Sequence, residues 1–386
     1  MAKAVPDPHS NRSSETGEGV VAPGPDANRH VHKGRGAASN ITSSRFDDKQ
    51  ANMDGDWRDA QEQIDGKQPR PRTQVHVEKP RTIITRNKSP DIPFDRSINA
   101  YRGCEHGCIY CYARPTHAYH NLSPGLDFET QLFAKPNAAD LLLTELAKPG
   151  YIVQPLAIGT NTDPYQPIED RYRITRSILQ VCLDTLHPIG ITTKSNRVTD
   201  DIDLLAELAR RQLTAVAISI TTLDSRTARI MEPRAPSPLK RLDAVRRLSA
   251  AGIFTNINIA PIIPAITDHE LENIAMEAAR AGAKGIAAIP VRLPHEVAPL
   301  FEEWLDAHYP DRAKKVMSII QSLRGGRKND PRFFNRFRGQ GPWAELLATR
   351  MTALRRKYGM DKTRYSLRTD LFIPPRHHGA QGDFGF

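Results

Sequence analysis

Six short apolar runs between residues 97 and 291, each followed by a stretch with helical periodicity, leave this chain few ways to fold. They are SINAYR (97–102), PLAIGT (155–160), IGITTK (189–194), AVAISIT (215–221), FTNINIAPI (254–262) and KGIAAIPV (284–291). Each is short and often β-branched, as expected of a strand buried on both faces. The clearest helix between them is SPLKRLDAVRRLSAAG. Ser237 caps it, Pro238 suits its first turn and Gly252 ends it, with Leu239, Leu242, Val245 and Leu248 as its apolar stripe. Consecutive βα units imply a parallel sheet with right-handed crossovers, either an open doubly wound sheet or one curling towards a barrel. In both designs the chemistry gathers at the C-terminal ends of the strands.

The flanking segments have a different texture. Residues 1 to about 75 are rich in Ser, Gly, Asp, Asn and Arg. They hold too few large apolar residues to offset ordering, so they are expected to be largely disordered. Within GRGAASNITSSRF (34–46), Phe46 is one of the few anchors for local docking. After about residue 310, DRAKKVMSIIQSLRGG carries Val316, Ile319, Ile320 and Leu323 on one helical face, and PWAELLATRMTALRRKYG carries Trp343, Leu346, Leu347 and Leu354 on another. The loop between them sets Phe333, Phe334 and Phe337 among arginines. The expected organisation is therefore an N-terminal segment (1–75), a βα core (80–310) and a basic helical extension (311–386).

A net charge of +10 and a pI near 9.5 suit an anionic partner such as nucleic acid, or a basic surface kept for solubility. In the extension, arginines could neutralise phosphates while the phenylalanines and Trp343 stack bases. The alternative is that these rings pack against their own domain. No run approaches the length of a membrane span and the N-terminus lacks a signal-like apolar core, so a cytoplasmic chain without a membrane partner is expected.

Three of the four cysteines crowd into YRGCEHGCIYCYARP (101–115): Cys104, Cys108 and Cys111. The cluster directly follows the first strand, at the rim where chemistry is expected. Four cysteines so distributed are no disulfide framework; they favour a metal or a cluster. Three soft thiolates suit zinc or iron–sulfur. Structural zinc would need a fourth ligand from Cys182, His106 or His120. Cys182, however, sits in RSILQVCLDTL beside Ile178, Val181 and Leu186, where a packing role fits. A cubane cluster has four irons, and three thiolates leave one of them open.

The spacing C-x3-C-x-aromatic-C, with Tyr110 as the aromatic and a βα series behind it, resembles the radical S-adenosylmethionine (SAM) superfamily. The resemblance implies an α/β fold, a partial (β/α)6 TIM-like barrel, and a [4Fe–4S] cluster on Cys104, Cys108 and Cys111. It implies that the amine and carboxylate of SAM chelate the open iron. An electron from the cluster then cleaves SAM to methionine and a 5′-deoxyadenosyl radical that abstracts hydrogen. An electron donor such as flavodoxin or ferredoxin is implied as partner. In GTNTDPYQPIED, Gly159, Thr160 and Asn161 stand where the superfamily often has Gly-Gly-Glu, and Thr162 and Asp163 are the side chains available. Lys194 and Ser195 follow the third strand, and Ser219 shares a face of the fourth with Thr221; all suit the SAM carboxylate or ribose. Asn256 and Asn258 suit adenine or ribose, or equally a core network. Glu232 and Arg234 contact substrate or pair with each other.

Together GTNTDPYQP, TKS, EPRAPSPLKRLDAVRRL and APIIPAITD look closest to the branch around spore photoproduct lyase, often labelled DNA-repair-photolyase-like, over residues 80 to 300. GRGAASN…RF also resembles a signature of one subfamily there. The lyase of that branch reverses a thymine dimer in DNA with a cysteine as hydrogen donor, and Cys182 does not match that donor. The expected function is a radical SAM enzyme acting on nucleic acid or a nucleotide-like substrate. The alternatives are modification of a peptide, protein or small metabolite, or a zinc-stabilised nucleic-acid-binding protein without catalysis.

Overall fold

The structure is a computed structural model that describes residues 32, 34–43, 45, 71–361 and 365–375. Phe46 and most of residues 1 to 75 lie outside the described residues. All six expected strands form: β3 (Arg96–Ile98), β6 (Leu156–Ile158), β7 (Ile189–Thr193), β8 (Thr214–Ser219), β9 (Phe254–Ile262) and β10 (Gly285–Pro290). They build one parallel sheet in the order β10-β9-β8-β7-β6-β3, extended at the β3 edge by the antiparallel β2 (Ile84–Arg86). Consecutive strands are neighbours from β6 onward, as right-handed βα units require.

The two-residue period of a strand divides the sheet into two faces. Ile98, Ile158, Ile191 and Val216 stand side by side in register and are buried under the helices. The opposite face carries Ala157, Gly190 and Ala215 in one row, then Thr192, Ala217, Asn256 and Gly285, then Ser219, Asn258 and Ala287. Small and polar residues leave that inner face open, and Asn256 and Asn258 are half-buried there. This is the α/β partial barrel that the superfamily resemblance implies, one of the two designs that the βα series allows.

One expected strand divides in two. SINAYR pairs as β3 in the main sheet and then, after Asn99 and Ala100, as β4 (Tyr101–Arg102) in a second sheet of order β1-β5-β4. There β1 (Gln74–Val77) runs parallel to β5 (Gln131–Ala134), and β4 runs antiparallel to it. The switch occurs where the Asn99 side chain accepts from the backbone N–H of Asn161 at 3.2 Å. The cysteine loop is therefore an excursion between two paired strands, closed at its neck by a bond from Cys104 N–H to the Phe128 carbonyl at 2.9 Å.

The helix Pro238–Ala250 is rotated from its expected stripe. Leu242, Val245 and Leu248 are buried, but Leu239 is 73% exposed and Arg241 turns inward to 1%. Towards the C-terminus, the helix Pro310–Leu323 buries Val316, Ile320 and Leu323, with Ile319 at its margin. The helix Pro342–Lys357 buries Leu347, Met351 and Leu354 while Leu346 stays exposed. It lies along β10, where Arg355 Nε donates to the Ile286 carbonyl at 3.0 Å. A sheet edge is thereby covered. The tail then passes beneath the N-terminal ends of the strands, where Tyr365 stacks on Phe254 with ring centroids 4.2 Å apart. Among the described residues no helix is long and apolar enough to cross a membrane.

Candidate active site

Cys104 and Cys108 are 7% exposed and Cys111 is half-buried, so the sulfurs sit in a loop closed on most sides. The loop is shaped from inside by Arg114, whose guanidinium is fully buried. Its Nε donates to the Cys108 carbonyl at 2.9 Å and its Nη1 to the Pro124 and Gly125 carbonyls at 3.1 and 2.9 Å. Its Nη2 reaches the Gly107 carbonyl at 3.3 Å and the Glu129 carboxylate at 2.5 Å. One planar donor fork thus fixes the backbone around the cysteines. Neither Arg114 nor Glu129 stands out in the sequence. The nearest signal is a charged residue in a cysteine loop that has to be buried.

Burial pushes the Cys104 thiol well up from its usual range, reinforced by Asp163 and the other two cysteines, while the Asp163 backbone N–H bonds to it and pulls the other way. Burial also raises the Cys108 thiol, against the nearby Lys194 charge. The three thiols therefore lie close enough to repel one another as thiolates. Even so, among the described residues no three His, Cys, Asp or Glu side chains converge as they would around a single ion. His106 bonds to Asp163 (Nδ1–Oδ2 3.4 Å) and His120 packs on Phe133 at 5.1 Å between centroids, so neither completes a tetrahedral zinc site. The donor set fits a group in which each cysteine meets its own metal atom.

The turn after β6 faces this loop. Gly159 has φ +88°, and a Cβ there would lie 1.9 Å from the Thr192 carbonyl of β7, so glycine is required. Thr160 accepts from the Tyr112 hydroxyl through its carbonyl, and Thr162 donates to the Tyr101 carbonyl at 3.1 Å. The Asp163 carboxylate accepts from Thr193 Oγ1 at 2.6 Å, Lys194 N–H at 2.7 Å and Tyr165 N–H at 2.9 Å. Burial raises its pKa, but His106 and these donors outweigh burial and hold it at about 2. Thr162 and Asp163 are thus joints between β4, β6, β7 and the cysteine loop rather than free ligands. Ser195 is similarly engaged, capping the 3-10 helix Asn196–Asp201 through a bond from Arg197 N–H at 3.2 Å.

Lys194 lies at the C-terminal end of β7, its Nζ 5.7 Å from the Tyr110 ring centroid. Ser219 accepts from Arg241 through its carbonyl at 3.1 Å, while Asn256 Nδ2 donates to Asn258 Oδ1 at 2.8 Å. Glu232 and Arg234 do not pair with each other. Glu232 is 1% exposed and accepts from the Tyr110 hydroxyl, from Thr221 Oγ1 at 3.1 Å and from the Arg241 guanidinium. Arg234 pairs instead with Glu105 at 3.0 Å. Glu232 therefore ties the aromatic of the cysteine motif to the end of β8. The inward rotation of Arg241 supplies its counter-charge.

At the outer rim, Arg292 follows β10 and lies between the Tyr112 and Phe337 rings, 5.5 and 4.9 Å from their centroids. Arg336 covers Phe337 and Phe333 and pairs with Asp91 at 2.5 Å. Phe333 and Phe334 are 51% and 52% exposed. Of the four rings singled out in the sequence, these two face solvent, whereas Phe337 and Trp343 pack against the protein. Cys182 is fully buried in the main core, in the helix Ile174–Asp184.

A family model described as the radical SAM superfamily matches residues 98–278. An uncharacterised protein of Mycobacterium tuberculosis is 36% identical over 240 residues, spanning 61% of this chain and 71% of that protein. A radical SAM Nα-GlyT isomerase of Pseudomonas phage M6 is 24% identical over 225 residues, 58% of this chain and 45% of that one. The structure of spore photoproduct lyase complexed with dinucleoside spore photoproduct shares the fold. Its TM-score is 0.53 at 16% identity, over 74% of this chain and 79% of that one. A three-cysteine loop at the rim of a partial barrel, a family model laid over most of that barrel and a relative matched over most of its length lead to one assignment: the chain belongs to the radical SAM superfamily and is a radical SAM enzyme.

Proposed function

We propose that Cys104, Cys108 and Cys111 hold a [4Fe–4S] cluster whose fourth iron takes SAM, and that the enzyme acts on nucleic acid or a nucleotide-like substrate. The observation that carries the cofactor reading is the set of buried sulfurs beside an open inner face lined by small and polar residues. The chemistry that such a cluster supplies is one-electron cleavage of a carbon–sulfur bond of SAM. The protein's part is placement. Gly159, Thr160 and Asn161 form the turn opposite the cysteine loop, fixed there by Tyr112 on the Thr160 carbonyl and Asn99 on the Asn161 N–H, and Lys194 offers a cation for a carboxylate. Tyr110 is held flat against that lysine by Glu232. Ser195, Ser219, Asn256 and Asn258 supply polar surface for a ribose and a base, and Thr162 and Asp163 keep the turns in register.

The substrate reading rests on Phe333 and Phe334, exposed at the rim beside Arg338, with Arg332 and Arg336 nearby on Asp330 and Asp91. Exposed rings beside guanidinium groups suit stacked bases and neutralised phosphates. A shared fold with a lyase complexed to a dinucleoside photoproduct supports the same class. Cys182 is sealed in the main core within the helix Ile174–Asp184, away from the rim, and so cannot serve as a hydrogen donor there. Any lyase-like step therefore draws its hydrogen from another group. A flavodoxin or ferredoxin is the expected reductant.

Electron paramagnetic resonance of the anaerobically reconstituted, reduced protein tests the cofactor reading. A [4Fe–4S]⁺ signal that shifts on adding SAM is expected. Cys104→Ala should abolish the signal and Cys182→Ala should leave it. Zinc in place of iron in the unmodified protein would sink this reading. For the substrate, a labelled single-stranded oligonucleotide should bind with steep salt dependence, and Phe333→Ala with Phe334→Ala should weaken it by roughly tenfold or more. Salt-independent or absent binding would favour a peptide or small-metabolite substrate.

A further inference from the structure

The segment Gly34–Ser43 with Arg45 lies across the outside of the cysteine loop, although it precedes the barrel by many residues. Three of its groups converge on Glu129, which is fully buried. Gly36 N–H donates to Glu129 Oε2 at 3.0 Å and Ala37 N–H to Oε1 at 2.9 Å, while Arg35 Nη1 donates to the Glu129 carbonyl at 2.8 Å. The same Glu129 carboxylate receives Arg114, which holds the Gly107 and Cys108 carbonyls from the other side. One buried carboxylate thus joins the segment outside the loop to the guanidinium inside it. The approach is close: a Cβ on Gly36 would fall 1.7 Å from the Gly107 carbonyl oxygen, and a Cβ on Gly125 would fall 2.1 Å from the Ser39 carbonyl oxygen.

The segment continues past the loop to the last βα unit. Ile41 N–H donates to Ser123 Oγ at 2.9 Å, on the loop side. Ser39 Oγ donates to Glu303 at 3.1 Å, and Ser43 Oγ and Arg45 Nε donate to Glu296 at 2.5 and 2.9 Å. Glu303 lies on the helix Val297–His308, which follows β10, and Glu296 is its N-cap. Ala37 is buried in the apolar cluster that contains Cys108, Ile109 and Tyr110 together with Leu300, Phe301 and Trp304 of that helix. The first and last parts of an incomplete barrel are therefore bridged at the cysteine end.

We propose that Gly34–Ser43 with Arg45 forms a strap that positions the cysteine loop, and that retention of the cluster depends on it through Glu129. The inference rests on the cysteines holding a cluster. The strap adds no ligand. It fixes the carbonyls flanking Cys108 and closes the outer side of the loop, so that its displacement lets the loop open and the metal escape. Gly36, Gly125, Arg114 and Glu129 are positioning residues in this sense.

The test uses the full chain, reconstituted anaerobically with iron and sulfide. Iron and sulfide per chain are measured first, then the rate at which a chelator strips the iron. Gly36→Ala and Gly125→Ala disturb the strap from opposite partners and leave every cysteine in place. Both should keep the circular dichroism of the barrel yet lose iron roughly tenfold faster or more than the unmodified chain, as expected when hydrogen bonds to a charged group are broken. Asn40→Ala, which removes an exposed reciprocal pair of hydrogen bonds with Asp127 and none of the bonds to Glu129, should behave as unmodified. If the unmodified chain takes up no iron, the cluster reading itself fails. If it loads and both folded glycine variants retain iron equally well, the strap inference is overturned. Should either variant misfold, hydrogen exchange on the unmodified chain decides: Gly36 and Ala37 amides exchanging at free-chain rates would equally overturn it.

Discussion

A buried carboxylate is stable only with partners, and Glu232 has three: Tyr110, Thr221 and Arg241. Glu232→Gln would leave the Arg241 guanidinium buried without a counter-charge, which costs about 3–5 kcal/mol. A large fall in thermal midpoint is expected. Leu239→Ala, on the same helix as Arg241 but exposed, should stay within about 0.5 kcal/mol of the unmodified chain. Comparing the two melting curves checks both; equal losses would mean that the helix buries the face with leucine 239 after all. The sequence alone suggests the opposite ranking, because a leucine at helical spacing reads as core and an arginine as surface. The apolar stripe was legible. That one of its positions had been given up to aim an arginine at Glu232 depends on what the neighbouring loop brings, 122 residues away from Tyr110 in the case of Glu232.

At the scale of elements, the turn after β6 is where local chemistry and packing agree most closely. Gly159 meets two demands together, a left-handed backbone and close passage under β7. Gly159→Ala should therefore destabilise the chain by about 2 kcal/mol or more and weaken SAM binding beyond that loss. Calorimetry with SAM, beside a melting curve, separates the two effects; unchanged affinity in a folded variant would remove this turn from the SAM site. The strands β6 to β9 were readable because each is a short apolar run that buries alternate residues under the helices. The break within SINAYR was not. SINAYR reads as one short run in the sequence, and only the tertiary demand to pass from the main sheet to the β1-β5-β4 sheet divides it at Asn99. The strands β1, β2 and β5 carry no comparable run and form because a partner strand offers its free edge.

For the molecule as a whole, the C-terminal tail matters as a closure for the end of the barrel remote from the cysteines. His187 is buried there, with Nδ1 bonded to the Pro188 carbonyl at 3.0 Å, Nε2 to the Tyr151 hydroxyl at 2.9 Å and Phe372 edge-on at 5.3 Å. Burial lowers its pKa to about 4, against the Pro188 carbonyl, which favours the charged form. Because the folded value lies below the unfolded value of about 6.5, the unfolded chain takes up the proton first on acidification. The contribution is complete above about pH 6.5 and is lost progressively towards pH 4, by about 3 kcal/mol in all. Unfolding in urea at pH 7 and pH 4.5 should show most of that loss, and His187→Gln should remove this residue's share of it. A variant with an unchanged pH slope would show that His187 is not sealed beneath the tail.

What the sequence determined by itself was the series of βα units, the rim on which the cysteine loop falls and the donor chemistry of that loop. Each depends on short-range regularities: a two-residue period, a helical stripe, a spacing of sulfurs within eight positions. What only the tertiary structure decided was which charged residues are internal. Arg114, Glu129, Arg241 and Glu232 have ordinary local surroundings in the chain. They become the frame of the site because segments far apart in sequence deliver carbonyls, amides and counter-charges to them. A buried ion has to be satisfied by whatever surrounds it in space, and neighbours along the chain do not reveal that company.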